Sequence, residues 1–140
     1  MTYTKEEIEK DLLTEKVEYY VVDTCLGQNE DRWRRGEKSK FQQNLCNLGL
    51  EYFAYIKFYL EGYNKIAIVV GKSGSKLVNK SQGCDLSFSV KATDGAARKW
   101  LLNNQRQWCQ TKILVVPAKC QREAYAIESE LAGRYSLLGS

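Results

Sequence analysis

Histidine is absent from this 140-residue chain. Its absence excludes every Ser/His and Cys/His nucleophile pair and every His-ligated zinc or iron centre. Proline occurs once, at position 117. The five cysteines (Cys25, Cys46, Cys84, Cys109 and Cys120) contain no Cys-x-x-Cys pair. Their spacing therefore predicts reduced, mostly buried thiols rather than a disulfide framework or a structural zinc site. Long apolar runs are missing too, the longest going from Ile66 to Val70, which predicts no membrane span. The opening residues, Met1 to Glu7, have neither the apolar segment of a secretory signal nor the basic character of a transit peptide, so a cytoplasmic location is expected.

What is present is ordinary globular material. With 44% hydrophobic and 27% charged residues, the composition excludes collagen, coiled coil and intrinsic disorder, and the length fits one domain with its own core. The net charge of +4 is unevenly placed. Residues 1–40 hold 8 basic and 10 acidic side chains, while residues 41–140 hold 13 and 7. A basic body of this kind can neutralise phosphates. Within the acidic front portion stands one basic cluster, Arg32, Arg34, Arg35, Lys38 and Lys40 around Trp33. It reads equally as a solvated turn or as a phosphate-contacting patch.

Helical spacing is clear over 4–16, where Thr4 and Glu7 make a capping box and Ile8, Leu12 and Leu13 supply an apolar stripe. Val17 to Val22 is either a strand or the end of that helix. A second helix is expected over 38–48, stopped by Gly49. Residues 52–60 and 65–70, dense in aromatic and β-branched types and joined by Glu61-Gly62-Tyr63-Asn64, predict a β-hairpin. A polar stretch follows, then a short strand at 86–90, a helix over 95–104, a strand over 112–116 stopped by Pro117, and a helix over 121–133 ending at Gly133. This order predicts an α+β fold with a small, largely antiparallel sheet flanked by helices and an N-terminal helical extension. Residues 1–50 are expected to form that extension, packed on the same domain, and 51–140 the core.

Three groups of residues invite a chemical reading. The turn Gly71-Lys72-Ser73-Gly74-Ser75-Lys76 is not a nucleotide-binding P-loop, because Ile66 stands where the first glycine of that motif is required. It can still present backbone N–H groups and Lys72 to a single phosphate. Arg98 and Glu128 border the apolar faces of their helices, where they snorkel, pair with each other or serve a ligand. Tyr52, Tyr55, Tyr59 and Tyr63 are packing residues with wet hydroxyls, or include one that moves a proton.

The segments Phe53-Ala54-Tyr55-Ile56 and Val69-Val70-Gly71-Lys72-Ser73 resemble the hairpin of the GIY-YIG nuclease family. Ala96-Ala97-Arg98-Lys99-Trp100-Leu101 is similar to that family's arginine helix. Glu123 to Leu131, followed by Arg134-Tyr135, is similar to its glutamate helix. The resemblance covers residues 52–138, with departures. The first tripeptide keeps only Tyr55, the second only Gly71, and Val69 replaces the second tyrosine. The usual C-terminal asparagine is missing.

The resemblance implies a divalent-metal-dependent DNA endonuclease. Glu128 would hold Mg²⁺ or Mn²⁺, Arg98 would clamp the phosphate, and Tyr55 with Lys72 would activate water. Arg32, Arg34, Arg35, Lys38, Lys76 and Lys80 would contact DNA, and a homodimer would serve double-strand cleavage. The rival expectation is a catalytically decayed relative that binds nucleic acid or a protein partner and cleaves nothing.

Overall fold

The computed structural model describes residues 2–27, 33–73, 78–80, 83–85 and 96–139, without the side chains of 78–80, 83–85, 96 and 110. The expected strand at 86–90, the glycine-rich residues 74–76 and the helix-capping positions Thr93 and Asp94 lie outside the described residues.

Helix α1 (Lys5–Thr14) starts where the capping box places it. The Thr4 hydroxyl accepts from the Glu7 N–H, and the Glu7 carboxylate accepts from the Thr4 N–H. The ambiguous segment after it resolves as a strand, β1 (Tyr20–Asp23). Helix α2 (Glu37–Asn47) follows a left-handed Gly36 with φ of 83°. The hairpin is β2 (Tyr52–Glu61) and β3 (Asn64–Lys72), with Gly62 at φ of 63° in its tight turn. Two short strands, β4 (Val78–Lys80) and β5 (Gly83–Asp85), pair with each other in the stretch expected to be merely polar. Then come α3 (Ala96–Asn103), β6 (Gln107–Ala118), α4 (Gln121–Tyr135) and β7 (Leu138–Gly139).

The architecture is α+β. The main sheet has strand order β1-β6-β2-β3-β7, antiparallel except for the β3–β7 pair. β1 thus makes the front portion of the chain part of the sheet. Alternation along β2 sorts its side chains to two faces. Ala54, Ile56 and Phe58 join Ile8 and Leu12 of α1 and Leu131 and Tyr135 of α4. Phe53 and Tyr55 point the other way, to Phe41 and Leu45 of α2. Tyr59, on that same second face, meets Ala97 and Leu101 of α3. Helices therefore cover both sides, α1 and α4 on one, α2 and α3 on the other.

Three expectations need correction. Pro117 does not stop β6; it lies opposite Phe53 of β2, beyond the stretch of β6 that pairs with β1, so its missing N–H leaves no ladder bond broken. Helix α4 runs through Gly133 to Tyr135, because burying Tyr135 against the sheet outweighs glycine's modest helix penalty. Cys46 is disulfide-bonded rather than reduced, while Cys25, Cys109 and Cys120 are free. Spacing carries no record of which cysteines the tertiary fold brings within bonding distance. Among the described residues no helix is long and apolar enough to cross a membrane.

Candidate functional site

β3 carries the glycine and the lysine of the second motif, and its outer edge is only partly covered. The N-terminal segment reaches its beginning, through the Ala67 N–H donating to the Tyr3 carbonyl at 2.9 Å. β7 pairs with Val69 and Val70 and no further. Among the described residues no strand pairs with Gly71 and Lys72 on this edge; Gly71 is buried and Lys72 half-buried, in register with Tyr55 and Ala54. Because facing residues in an antiparallel pair share a side, Lys72 belongs to the α4 face with Ala54, and Tyr55 to the α2 face with Gly71.

Glu128 stands on α4, half-buried, beside Ile127 and Leu131, which pack on the sheet. Burial pushes its carboxyl above the ordinary range, and the Lys72 ammonium draws it partly back. The Lys72 and Glu128 charges thus interact across the packing of α4 on β3.

The other two expected catalytic residues are placed elsewhere. Tyr55 is 2% exposed and packed among Phe41, Leu45, Phe53 and Val115, on the far side of the sheet from Glu128. The expected convergence of Tyr55 with Glu128 is not what the strand alternation produces. Arg98 is exposed on α3, whose buried residues Ala97 and Leu101 rest on Tyr59, Val69 and Trp108, again the face away from α4. Among the described residues Arg98 and Glu128 form no ion pair, so the structural pairing of these two is not made.

Of the basic patch, Arg34, Arg35, Lys38 and Lys40 are exposed around the start of α2. The patch is anchored by Trp33, which stacks on Phe41 at 5.7 Å, donates Nε1–H to the Thr24 carbonyl at 2.8 Å, and carries the Lys38 ammonium 5.9 Å from its ring centroid. Lys40 is engaged by Glu37 at 3.2 Å. Arg32 and Lys76, and the side chain of Lys80, lie outside the described residues.

Sequence reasoning missed Lys57. It is 0% exposed, on the face it shares with Tyr55, and its ammonium sits 5.5 Å from the Tyr55 ring centroid. It also marks an irregularity in the sheet. The β2–β3 register shifts immediately after the Lys57–Val69 pair, and the β2–β6 register shifts between Ile56 and Phe58. Bulges of this kind re-aim side chains and recur beside functional sites. Burial lowers the Lys57 pKa from 10.5 to about 8. The available signal was a lysine between Ile56 and Phe58 in a strand apolar on both faces.

Metal fit was tested on the donor set. Among the described residues no cluster of three or more His, Cys, Asp or Glu exists. A caged Ca²⁺ or Zn²⁺ does not fit Glu128. Mg²⁺ does, because it keeps several waters and commonly takes one or two carboxylates plus substrate phosphate oxygens. A cavity of about 450 Å³ between α1 and α4 is a poor rival for a polyanion, since Glu15, Glu18, Glu123 and Glu130 outnumber Lys119 and Arg134 in its lining. No family model, curated protein or solved structure matches the chain.

Proposed function

We propose that this chain is a divalent-metal-dependent endonuclease acting on DNA phosphodiesters beside Lys72, at the C-terminal end of β3. The observation that carries the reading is that α4 packs on β3 with Glu128 near enough to Lys72 for their charges to interact, one from the hairpin motif and one from the glutamate helix of the resemblance. The order of hairpin, α3, β6 and α4 supports it as well.

In this reading Glu128 supplies the single carboxylate for Mg²⁺ or Mn²⁺. When bound, the ion supplies Lewis-acid stabilisation of the charge that develops on the phosphate oxygens. Lys72 donates to a non-bridging oxygen and holds the scissile phosphate beside α4. Water attacks phosphorus, the ester P–O bond breaks, and the departing oxygen takes up a proton. Arg98, exposed on α3, contacts a neighbouring phosphate rather than the reacting one. Tyr55 is a packing residue and takes no part in the chemistry. The patch of Arg34, Arg35 and Lys38 adds non-specific affinity that falls with salt.

A plasmid-nicking assay in Mg²⁺ or Mn²⁺ tests this. Nicking by the wild type, lost in Glu128→Gln and strongly reduced in Lys72→Met with DNA affinity retained, supports the proposal. An inert wild type that binds DNA supports instead a decayed binding domain. One observation favours that second reading: Val69 occupies the position of the second tyrosine and is sealed in the core against Ala97 and Leu101.

A further inference from the structure

Partway along β3 from Lys72, the same edge holds a small aromatic pocket of about 200 Å³. Its walls are Tyr59 and Trp100, whose ring centroids are 5.0 Å apart with planes tilted by 58°. Ala67, Ile68 and Leu138 complete the apolar lining, and the hydroxyl-bearing Thr2 and Ser136 also border it. Trp100 is 37% exposed, so part of its ring is left for a ligand after the Tyr59 contact is made. The volume falls below the range of roughly 300–1,000 Å³ typical of drug-sized ligands, which suits one flat ring system.

Two elements run from this pocket toward Lys72 and Glu128. Along β3, Ile68 is four residues before Lys72, about 13 Å at strand rise. Along α4, Tyr135, which also lines the pocket, is seven residues after Glu128, about 10 Å at helical rise. The aromatic walls lie on the α3 side of the sheet and the charged pair on the α4 side, so a single strand of a few nucleotides reaching both must round the edge of β3. The surroundings suit a polyanion: Arg98 and Lys99 are exposed on α3 beside Trp100, and that helix contains no acidic residue.

We propose that the Tyr59–Trp100 pocket is a subsite for an unpaired nucleobase, so that the substrate carries a single-stranded or extruded nucleotide near the scissile phosphate. This rests on the nuclease reading above. A planar base stacks on Trp100 while the Thr2 and Ser136 hydroxyls offer hydrogen bonds to its edge. A base held inside a duplex cannot enter, because both of its faces are already stacked and its edge is paired.

The test is equilibrium binding in EDTA, where no turnover is needed, using the full chain and fluorescein-labelled probes. The probes are a short oligothymidylate, an abasic strand of the same length, and a duplex of the same length. The wild type is expected to bind oligothymidylate about tenfold more tightly than the abasic strand, in line with stacking of one base. Trp100→Leu should erase that preference and leave duplex binding unchanged, while Trp100→Phe should keep most of it. Equal binding of oligothymidylate and abasic strand by the wild type overturns the subsite without any variant having to fold. Such a result leaves the nuclease reading to the nicking assay. Failure to bind any of the three probes likewise overturns the subsite.

Discussion

Replacing Lys57 by methionine is expected to stabilise the protein near neutral pH and to have no such effect in alkali. The Lys57 side chain is fully buried between two bulged strands, and its ammonium rests over the Tyr55 ring. Burial lowers its pKa from 10.5 to about 8. Below the lower value the lysine is charged in both the folded and unfolded states, and burial disfavours the charged form in the fold. At 1.36 kcal/mol per pKa unit this cost is about 3 kcal/mol. Between pH 8 and 10.5 the unfolded chain keeps the proton and the folded one does not. Stability therefore rises with pH across that window as the penalty is relieved.

Methionine has a similar unbranched length and no charge, so it fills the same space without the titration. Urea denaturation of wild type and Lys57→Met, followed by far-UV circular dichroism at several pH values, isolates the effect, because the other titrating groups are common to both proteins. The variant is expected to be more stable by up to about 3 kcal/mol near neutral pH, with the difference closing toward pH 10.5. A difference that stays flat across the window would refute the reasoning, and would mean that contacts of the ammonium fully offset its lost hydration. A stabilised variant that also lost nicking would mark Lys57 as a residue kept for function at the expense of stability.

Tyr55→Phe should leave nicking close to wild type, since the hydroxyl lies on the α2 face; a loss of more than about tenfold would return Tyr55 to the chemistry. Glu128→Gln should abolish nicking while melting at or slightly above the wild-type temperature near neutral pH. Burial raises its carboxyl pKa, so the ionised form is the less favoured one in the fold. Calorimetry checks this, and a marked drop would identify Glu128 as a structural partner instead. Tyr135→Phe removes the 2.8 Å hydrogen bond from the buried phenol to Asp11 and should cost about 1–2 kcal/mol in urea denaturation, loosening α1 from α4. Cys46→Ala should cost about 2–4 kcal/mol under non-reducing conditions, and an unchanged denaturation midpoint would show that the bridge adds nothing to stability.

Much of the fold could be read from local signals. Thr4 and Glu7 announced α1, Gly62 fixed the hairpin turn, and Ala97 with Leu101 and Ala124 with Leu131 set the buried stripes of α3 and α4. These are short-range effects, decided within a turn of helix or along one strand. Pairing across the sheet is not. Nothing local in Tyr20-Val21-Val22-Asp23 shows that β6 will accept it as a partner. Leu138 and Gly139 form a strand only because β3 offers them an edge. The Cys46 disulfide was hidden for the same reason, since its formation depends on how α2 is carried across the sheet.

The candidate site was misread at one point, where a simple rule was available. Side chains alternate along β2, so Tyr55 shares a face with Phe53 and Lys57, while Lys72 shares one with Ala54. The hairpin register makes Tyr55 the neighbour of Gly71 rather than of Lys72, and this divides the expected constellation between two sides of the sheet. In the proposed nuclease reading, the phosphate is then handled from the α4 side, where Lys72 and Glu128 lie. β7 and the N-terminal segment cover the edge of β3 as far as Val70. Beyond it come the buried Gly71 and the half-buried Lys72, whose charge interacts with Glu128 of α4. The edge of a single strand thus links the Tyr59–Trp100 pocket to the charged pair, and cutting should require both a carboxylate at 128 and an accessible end of β3. Extending β7 by a few residues to pair with Gly71 and Lys72 should abolish nicking while preserving the fold. Full activity in such a variant would show that the chemistry lies somewhere else on the molecule.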